Sequence, residues 1–173
     1  MRVKELQENE FQYFYKTYLN TLDEQDDLKS ALQNGKESFK DLVHGLSDEQ
    51  FKYSYGEGKW TVAEVLVHLI DTERVFQYRA FRISRNDKTP LPGFDHNVFV
   101  VESNANQRTK EDILKEYLFV RNASINLFDT MLDEHLKRTG TASDIPWSVA
   151  ALGLVISGHQ KHHENILNER YFS

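Results

Sequence analysis

The sequence predicts an all-α protein, a bundle of four long helices with a short extra helix at the N-terminal end. Proline and glycine, which interrupt helices, number only three and eight among 173 residues, and they cluster in a few stretches. Between these stretches apolar residues recur every three to four positions, whereas strand-like alternation is weak throughout. A chain of this length can bury one sizeable core, so we expect residues 1–173 to form a single domain.

Composition narrows the classes of function. The formal net charge of -6 argues against a broad phosphate-binding surface, and we expect no nucleic-acid partner. The absence of cysteine excludes disulfides, thiolate metal ligands and a cysteine nucleophile, and it fits a reducing compartment. The first residues are charged where a signal peptide needs an apolar run, and no stretch has the roughly 18 apolar residues of a membrane span. The expected location is the cytoplasm, without a membrane partner.

Start signals define the four predicted long helices. Three begin at a threonine followed three residues later by an acidic residue, a capping pattern that satisfies free backbone amides, and the fourth begins at Pro146. Residues 10–19 are rich in aromatics, which favours a short helix across the end of the bundle over a stacking surface for a ligand. The break at residues 87–107 is long for a plain connection, and such loops are often functional. The predicted long helices span about 21–44, 61–84, 109–138 and 146–171.

The last predicted helix carries two histidines, His159 and His163, that are four residues apart and therefore share one face. Counting about 100° per residue from Val149, they fall at about 280° and about 320°, within an apolar stripe centred near roughly 300°. His162 falls near the edge of this stripe, and Glu164 is predicted to point away from it. Two imidazoles are therefore expected where leucine or isoleucine would otherwise pack.

Two adjacent buried imidazoles need a partner, because a buried polar group without one costs about 1–3 kcal/mol and both rings cannot be protonated cheaply. A cation that accepts a lone pair from each ring solves both problems, although hydrogen-bonded core histidines remain the alternative. His68, on the second predicted helix, flanks the apolar stripe and can face a groove between helices. Three imidazoles leave a coordination position open, which is typical of catalytic sites, and they suit zinc, nickel, copper or iron.

Three segments together resemble the DinB/YfiT-like superfamily of metalloenzymes. They are residues 60–73 (WTVAEVLVHLIDTE), 91–95 (LPGFD) and 158–166 (GHQKHHENI), and the resemblance covers nearly the whole chain in order. It implies a four-helix bundle of the DinB/YfiT type, with up-down-down-up order, and a divalent metal ion held by three histidines. Among the metals that suit imidazole ligands we expect zinc or nickel. The residues that match the metal ligands of the family are His68, His159 and His163.

The same resemblance implies a class of function. Members with known chemistry include S-transferases that use low-molecular-weight thiols such as bacillithiol, and a mycothiol-dependent isomerase, and members are often homodimers. We therefore expect a homodimeric metal-dependent enzyme with a small-molecule substrate, either a thiol transferase with a thiol cofactor or a hydrolase. The alternative is a non-catalytic metal-binding bundle that acts through a protein partner. The motifs of zincin proteases, P-loop enzymes and serine hydrolases are absent from the sequence.

Several residues near the predicted ligands have two interpretations. Glu64, Asp71 and Glu164 are either outer partners that fix an imidazole tautomer or, as we favour, solvated helix charges. Arg79 lies on the histidine side of its helix, where it can either steer an anionic substrate or pair with a carboxylate. The two tryptophans at helix starts are expected to anchor packing: Trp60 and Trp147.

Overall fold

The computed structural model describes residues 1–172. Within them the chain forms eight α-helices: α1 (Lys16–Leu19), α2 (Leu28–Gly45), α3 (Asp48–Lys52), α4 (Val62–Ser84), α5 (His96–Glu102), α6 (Lys110–Asp129), α7 (Asp133–Leu136) and α8 (Val149–Arg170). The four long helices pack as a ring, in which α4 and α8 share the most extensive contact and α2 and α6 close the other sides. The predicted all-α bundle with up-down-down-up order is confirmed, and α1 is its short N-terminal helix.

Short elements complete the chain. Four single turns of 3₁₀-helix lie at Val3–Glu5, Glu8–Glu10, Tyr13–Tyr15 and Ala105–Gln107. Strands β1 (Thr139–Ala142) and β2 (Ile145–Ser148) pair antiparallel, with Ala142 opposite Ile145. The turn between them places Ser143 and Asp144 at φ of 52° and 59°, as two-residue hairpins of right-handed twist require. Residues 139–145, predicted as a loop, are therefore mostly a hairpin, which the all-α prediction did not include.

The first long helix begins later than predicted. Thr21 and Glu24 fit the capping pattern, but α2 begins at Leu28, where the Asp27 side chain accepts a hydrogen bond from the Ser30 amide. The Thr21 hydroxyl instead bonds to the carbonyl oxygens of Tyr18 and Gly158, so it ties the end of α1 to α8. A tertiary contact thus uses the side chain that the local pattern assigned to a cap.

The third long helix ends earlier than predicted, at Asp129 rather than near Arg138. The hydroxyl of Thr130 donates to the Leu127 carbonyl, and the chain turns before the short α7 begins. Leu132 lies within the range predicted for this helix, yet it falls outside α6 and 62% of it is exposed. Side-chain bonds to the local backbone compete here with continuation of the helix.

The fourth long helix begins at Val149, three residues after the predicted start. Pro146 lies in β2 opposite Thr141, and its side chain is exposed at a sheet edge, where proline is tolerated. The Ser148 hydroxyl accepts a hydrogen bond from the Ala151 amide and caps α8. By contrast, Thr61 and Glu64 form the predicted capping box at the start of α4, which ends at the predicted residue.

The break at residues 87–107 contains more order than a plain loop. Asp95 accepts hydrogen bonds from the amides of Asn97 and Val98 and so caps α5. Upstream, Leu91 bonds to the hairpin through the Thr141 carbonyl and the Ser143 amide. Both ends of the connection are thereby placed beside α4. None of the helices within residues 1–172 combines the length and apolar character that a membrane crossing requires.

A buried polar cluster lies among α2, α4, α6 and α8. The guanidinium of Arg121 pairs with the Glu73 carboxylate at 2.8 Å and also donates to the side-chain oxygen of Gln160 at 2.7 Å. Gln160 in turn donates to the Gly35 carbonyl and to Glu164. Because every partner is on a different turn or helix, these bonds fix the rotation of α8 about its axis.

Candidate metal centre

Three histidines meet between α4 and α8. His68 lies on α4, while His159 and His163 lie one turn apart on α8. One nitrogen from each ring can be chosen so that all three lie within 4.8 Å of one another. The Nε2 atoms of His68 and His159 are 3.1 Å apart, and the centroids of the His159 and His163 rings are 4.6 Å apart. The structure therefore brings together the three residues that the sequence analysis selected.

Packing explains why these imidazoles face each other. Residues 149–160 of α8 are buried all round, so its first three turns have no solvated face. At Gly158 a side-chain carbon would overlap the backbone of Tyr18, so only glycine allows α1 to approach α8 this closely. Glu164, which we favoured as a solvated helix charge, is buried and accepts hydrogen bonds from Ser38 at 2.7 Å and Gln160 at 2.6 Å. That prediction is wrong because α2 covers the side of α8 that was assumed to face water.

Burial holds the three rings in the neutral form. It lowers the pKa of His68 from 6.5 to about 4, with a further contribution from nearby His96. The same cause lowers the pKa of His163 to about 3 and that of His159 well below its ordinary value. Neutral imidazoles offer lone pairs, which is the form that binds a metal ion. The donor set and its proximity fit a divalent cation.

The carboxylates that flank the histidines in sequence have other partners. Glu64 accepts hydrogen bonds from the Thr61 amide at 2.8 Å and the Asn106 side chain at 2.9 Å, which fixes the start of α4. Asp71 pairs with Arg74 at 3.4 Å near the surface. The neighbour of the His68 Nδ1 atom is instead the hydroxyl of Thr72, at 3.5 Å. Thr72 is therefore the polar group closest to setting the tautomer of His68.

The histidines line a cavity of about 460 Å³. Its wall is largely aromatic. Five of the rings come from the N-terminal segment, α4 and the loop before α5: Phe14, Tyr15, Tyr18, Phe76 and Phe94. Trp60 also lines it, with its ring centroid 5.0 Å from that of His68, so it is more than the packing anchor we predicted. Trp147 is fully buried, as expected of such an anchor.

Two further histidines stand at this cavity. His96, at the exposed start of α5, has its ring centroid 5.6 Å from that of His68. His162 is half-buried and packs against Tyr18 at 5.0 Å, consistent with its predicted position at the edge of the stripe. Sequence analysis did not single out His96, and the only signal was its place in a long connection. Three aromatic residues of the segment 10–19 also line the cavity, so the segment has the ligand-facing surface that our sequence prediction did not favour.

Arg79 also lines the cavity. Only 2% of this residue is exposed, and its Nη2 atom donates to the Pro92 carbonyl at 2.9 Å and to the Ser143 hydroxyl at 2.7 Å. The aromatic rings of Phe76 and Phe94 lie 5.6 and 5.7 Å from the guanidinium carbon. These contacts hold a buried cation in one place on the cavity wall.

Fold and site together define a class of protein, a four-helix bundle with a candidate three-histidine metal centre between two of its helices. The chain belongs to the DinB superfamily, whose family model matches residues 31–167.

Similar proteins carry related names. A Geobacillus thermodenitrificans protein named "Putative metal-dependent hydrolase" is 29% identical over 140 residues, which cover 78% of this chain and 76% of that protein. A similarly named protein of Oceanobacillus iheyensis is 22% identical over 125 residues, or 71% of each chain. Among solved structures, YfiT from Bacillus subtilis, titled "a probable metal-dependent hydrolase with an unusual four-helix bundle topology", matches with a TM-score of 0.70. That match covers 83% of this chain and 85% of YfiT at 21% identity, and it shows the shared fold.

Proposed function

We propose that this protein is a metal-dependent hydrolase of a small molecule and that His68, His159 and His163 hold its divalent metal ion. The observation that carries the proposal is the approach of three imidazole nitrogens to within 4.8 Å at the wall of a cavity. The names of the relatives, which are given as "Putative metal-dependent hydrolase", support a hydrolase. Imidazole donors suit zinc or nickel, and we propose one of these two ions.

A divalent ion held by three imidazoles supplies Lewis-acid chemistry, which lowers the pKa of a bound water or polarises a carbonyl group. The residues of the chain provide the remaining requirements. Aromatic side chains of the wall exclude bulk water and bury the apolar part of a substrate. His96, which is exposed and beside His68, is placed to carry a proton between the cavity and solvent.

Metal content tests the ligand assignment directly. Protein purified without a histidine tag, after zinc or nickel supplementation, should contain about one divalent ion per chain by elemental analysis. His159→Ala and His163→Ala should each lose that ion, because two remaining imidazoles make a much weaker site. His44→Ala, at an exposed position on α2, is the matched control and should keep it. A wild-type protein that stays metal-free under supplementation would contradict the assignment.

Hydrolysis is tested separately with a panel of activated esters and amides. Turnover should require the metal, should disappear with a chelator and should return when the ion is restored. Metal-loaded protein that turns over no member of the panel would favour the non-catalytic alternative, a bundle that the metal stabilises and that acts through a protein partner. In that case metal removal would lower the melting temperature and change no reaction rate.

An S-transferase is the second candidate for the same site, since a divalent ion can also hold a thiol as thiolate. The chain contains no cysteine, so the thiol would come from a separate small molecule such as bacillithiol. An assay that couples a thiol to an electrophile, run beside the ester panel, distinguishes the two reactions. We also propose a homodimer in the cytoplasm, which light scattering and cell fractionation would check.

A further inference from the structure

We infer that the cavity takes a substrate with a carboxylate group, which Arg79 binds at the end remote from the three histidines. The inference names the substrate class of the proposed hydrolase and rests on that function for the reacting end of the molecule. The binding of the carboxylate itself is independent of the metal, because it depends on a charged side chain about three helical turns away along α4.

Within residues 1–172 two arginines are buried, and they differ in their partners. Arg121 is 0% exposed and forms an ion pair with Glu73 at 2.8 Å. Arg79 is 2% exposed, yet within residues 1–172 its hydrogen bonds go only to a carbonyl and a hydroxyl oxygen. Burying a charge without an opposite charge is costly. Because Arg79 is a buried cation without an anionic partner at the wall of a cavity, we infer that a ligand of the cavity supplies the anion.

Arg79 has donors to spare. Both of its hydrogen bonds use Nη2, which leaves the Nε and Nη1 hydrogens without partners in the described structure. Among the described residues, the fully enclosed side-chain nitrogen and oxygen atoms without a hydrogen-bond partner belong to Trp147 and Ser157. The Nε and Nη1 atoms of Arg79 are not among them, so these two atoms are in contact with open space. Tyr15 is the neighbouring side chain whose hydroxyl interacts electrostatically with the guanidinium, and it lines the same cavity. Guanidinium and phenol donors together suit a carboxylate, and a single cation matches its single charge.

Spacing along α4 sets the shape of the substrate. His68 and Arg79 are eleven residues apart and share one face with Thr72 and Phe76, so their backbones are separated by roughly 16 Å along the axis. Both side chains lean toward the N-terminus of α4, and because the arginine side chain is the longer one, its guanidinium is displaced further and comes closer to the His68 ring. The carboxylate and the reacting bond should therefore lie on the order of 10 Å apart. The aromatic wall between them fits an apolar linker.

The test uses metal-free protein and two simple probes, hexanoate and its neutral analogue hexanamide. In a titration followed by NMR shifts, wild-type protein should bind hexanoate at least tenfold more tightly than hexanamide. Arg79→Met should abolish this preference, whereas Arg79→Lys and Ser143→Ala, which keep the charge, should retain it. Arg85→Met removes an exposed arginine of the same region outside the cavity and is the control.

Equal binding of the two probes by wild-type protein would overturn the inference, as would a preference that survives in Arg79→Met. If Arg79→Met fails to fold, Arg79→Gln takes its place as the variant without the charge, and it should lose the preference likewise. The proposed function fails separately. Hexanoate selectivity without any metal-dependent turnover would leave the carboxylate subsite and remove the hydrolase, whereas metal-dependent turnover of neutral esters without hexanoate selectivity would do the reverse.

Discussion

The buried histidines should make the metal-free protein sensitive to mild acid. In the unfolded chain His68 has its ordinary pKa of about 6.5, whereas in the folded protein burial lowers this pKa to about 4. Each pKa unit corresponds to about 1.4 kcal/mol, so the difference for His68 is roughly 3 kcal/mol. This stability is present above pH 6.5 and is lost progressively as the pH falls toward 4, because the unfolded state binds the extra proton.

Denaturant unfolding of the metal-free protein at several pH values between 7 and 4 measures the effect. Other groups also titrate in this range, so the informative quantity is the difference between the wild type and His68→Gln, which cannot take up the proton. Between pH 7 and pH 4, the free energy of unfolding of His68→Gln should fall by roughly 3 kcal/mol less than that of the wild type. His44→Gln, which removes an exposed histidine, should follow the wild-type curve.

Identical slopes for wild type and His68→Gln would refute the reasoning, because they would mean that His68 titrates alike in the folded and unfolded states. The filled site should behave differently from the empty one. A bound metal ion competes with protons for the imidazole nitrogens, so the ion should dissociate as the pH falls and stability should drop together with metal content.

Three further predictions concern the framework of the site. Arg121→Met should lower the free energy of unfolding by about 3–5 kcal/mol in denaturant titrations, because it leaves the Glu73 carboxylate buried without its partner; adding Glu73→Leu should recover part of the loss. Gly158→Ala should lower the melting temperature and the metal affinity, since the new methyl group would overlap the Tyr18 backbone of α1 where this helix packs against α8. Gly45→Ala, where a methyl group meets nothing within 4 Å, should be neutral or stabilising by up to about 1 kcal/mol in the same assay. Thr61→Ala should cost about 1 kcal/mol on thermal unfolding by removing the cap of α4.

Local signals predicted well the elements whose stabilising contacts are also local. The capping box of Thr61 and Glu64 uses only its own helix start, and α4 has the bounds predicted from it. Likewise, the four-residue spacing of His159 and His163 places both rings on one side of α8 whatever packs around them. These two features, together with His68, were sufficient to locate the histidine cluster.

Features that depend on distant contacts could not be predicted in the same way. Thr21 carries a valid capping pattern, but its hydroxyl bonds across the molecule to α8, which only the folded structure reveals. Glu164 follows two histidines on a polar stretch, and its burial depends on the approach of Ser38 from α2. His96 reaches the cavity because α5 folds back toward α4, a path that no periodicity encodes.

The last turns of α8 carry two pairs of side chains with the same four-residue spacing, offset by one position. His159 and His163 face the cavity, whereas Gln160 and Glu164 bond to the core on another side of the helix. The side chains that anchor α8 and the histidines that line the cavity therefore lie on separate faces of one helix. A substitution among the exposed rings of the cavity wall can therefore change the lining while the polar contacts that orient α8 stay in place.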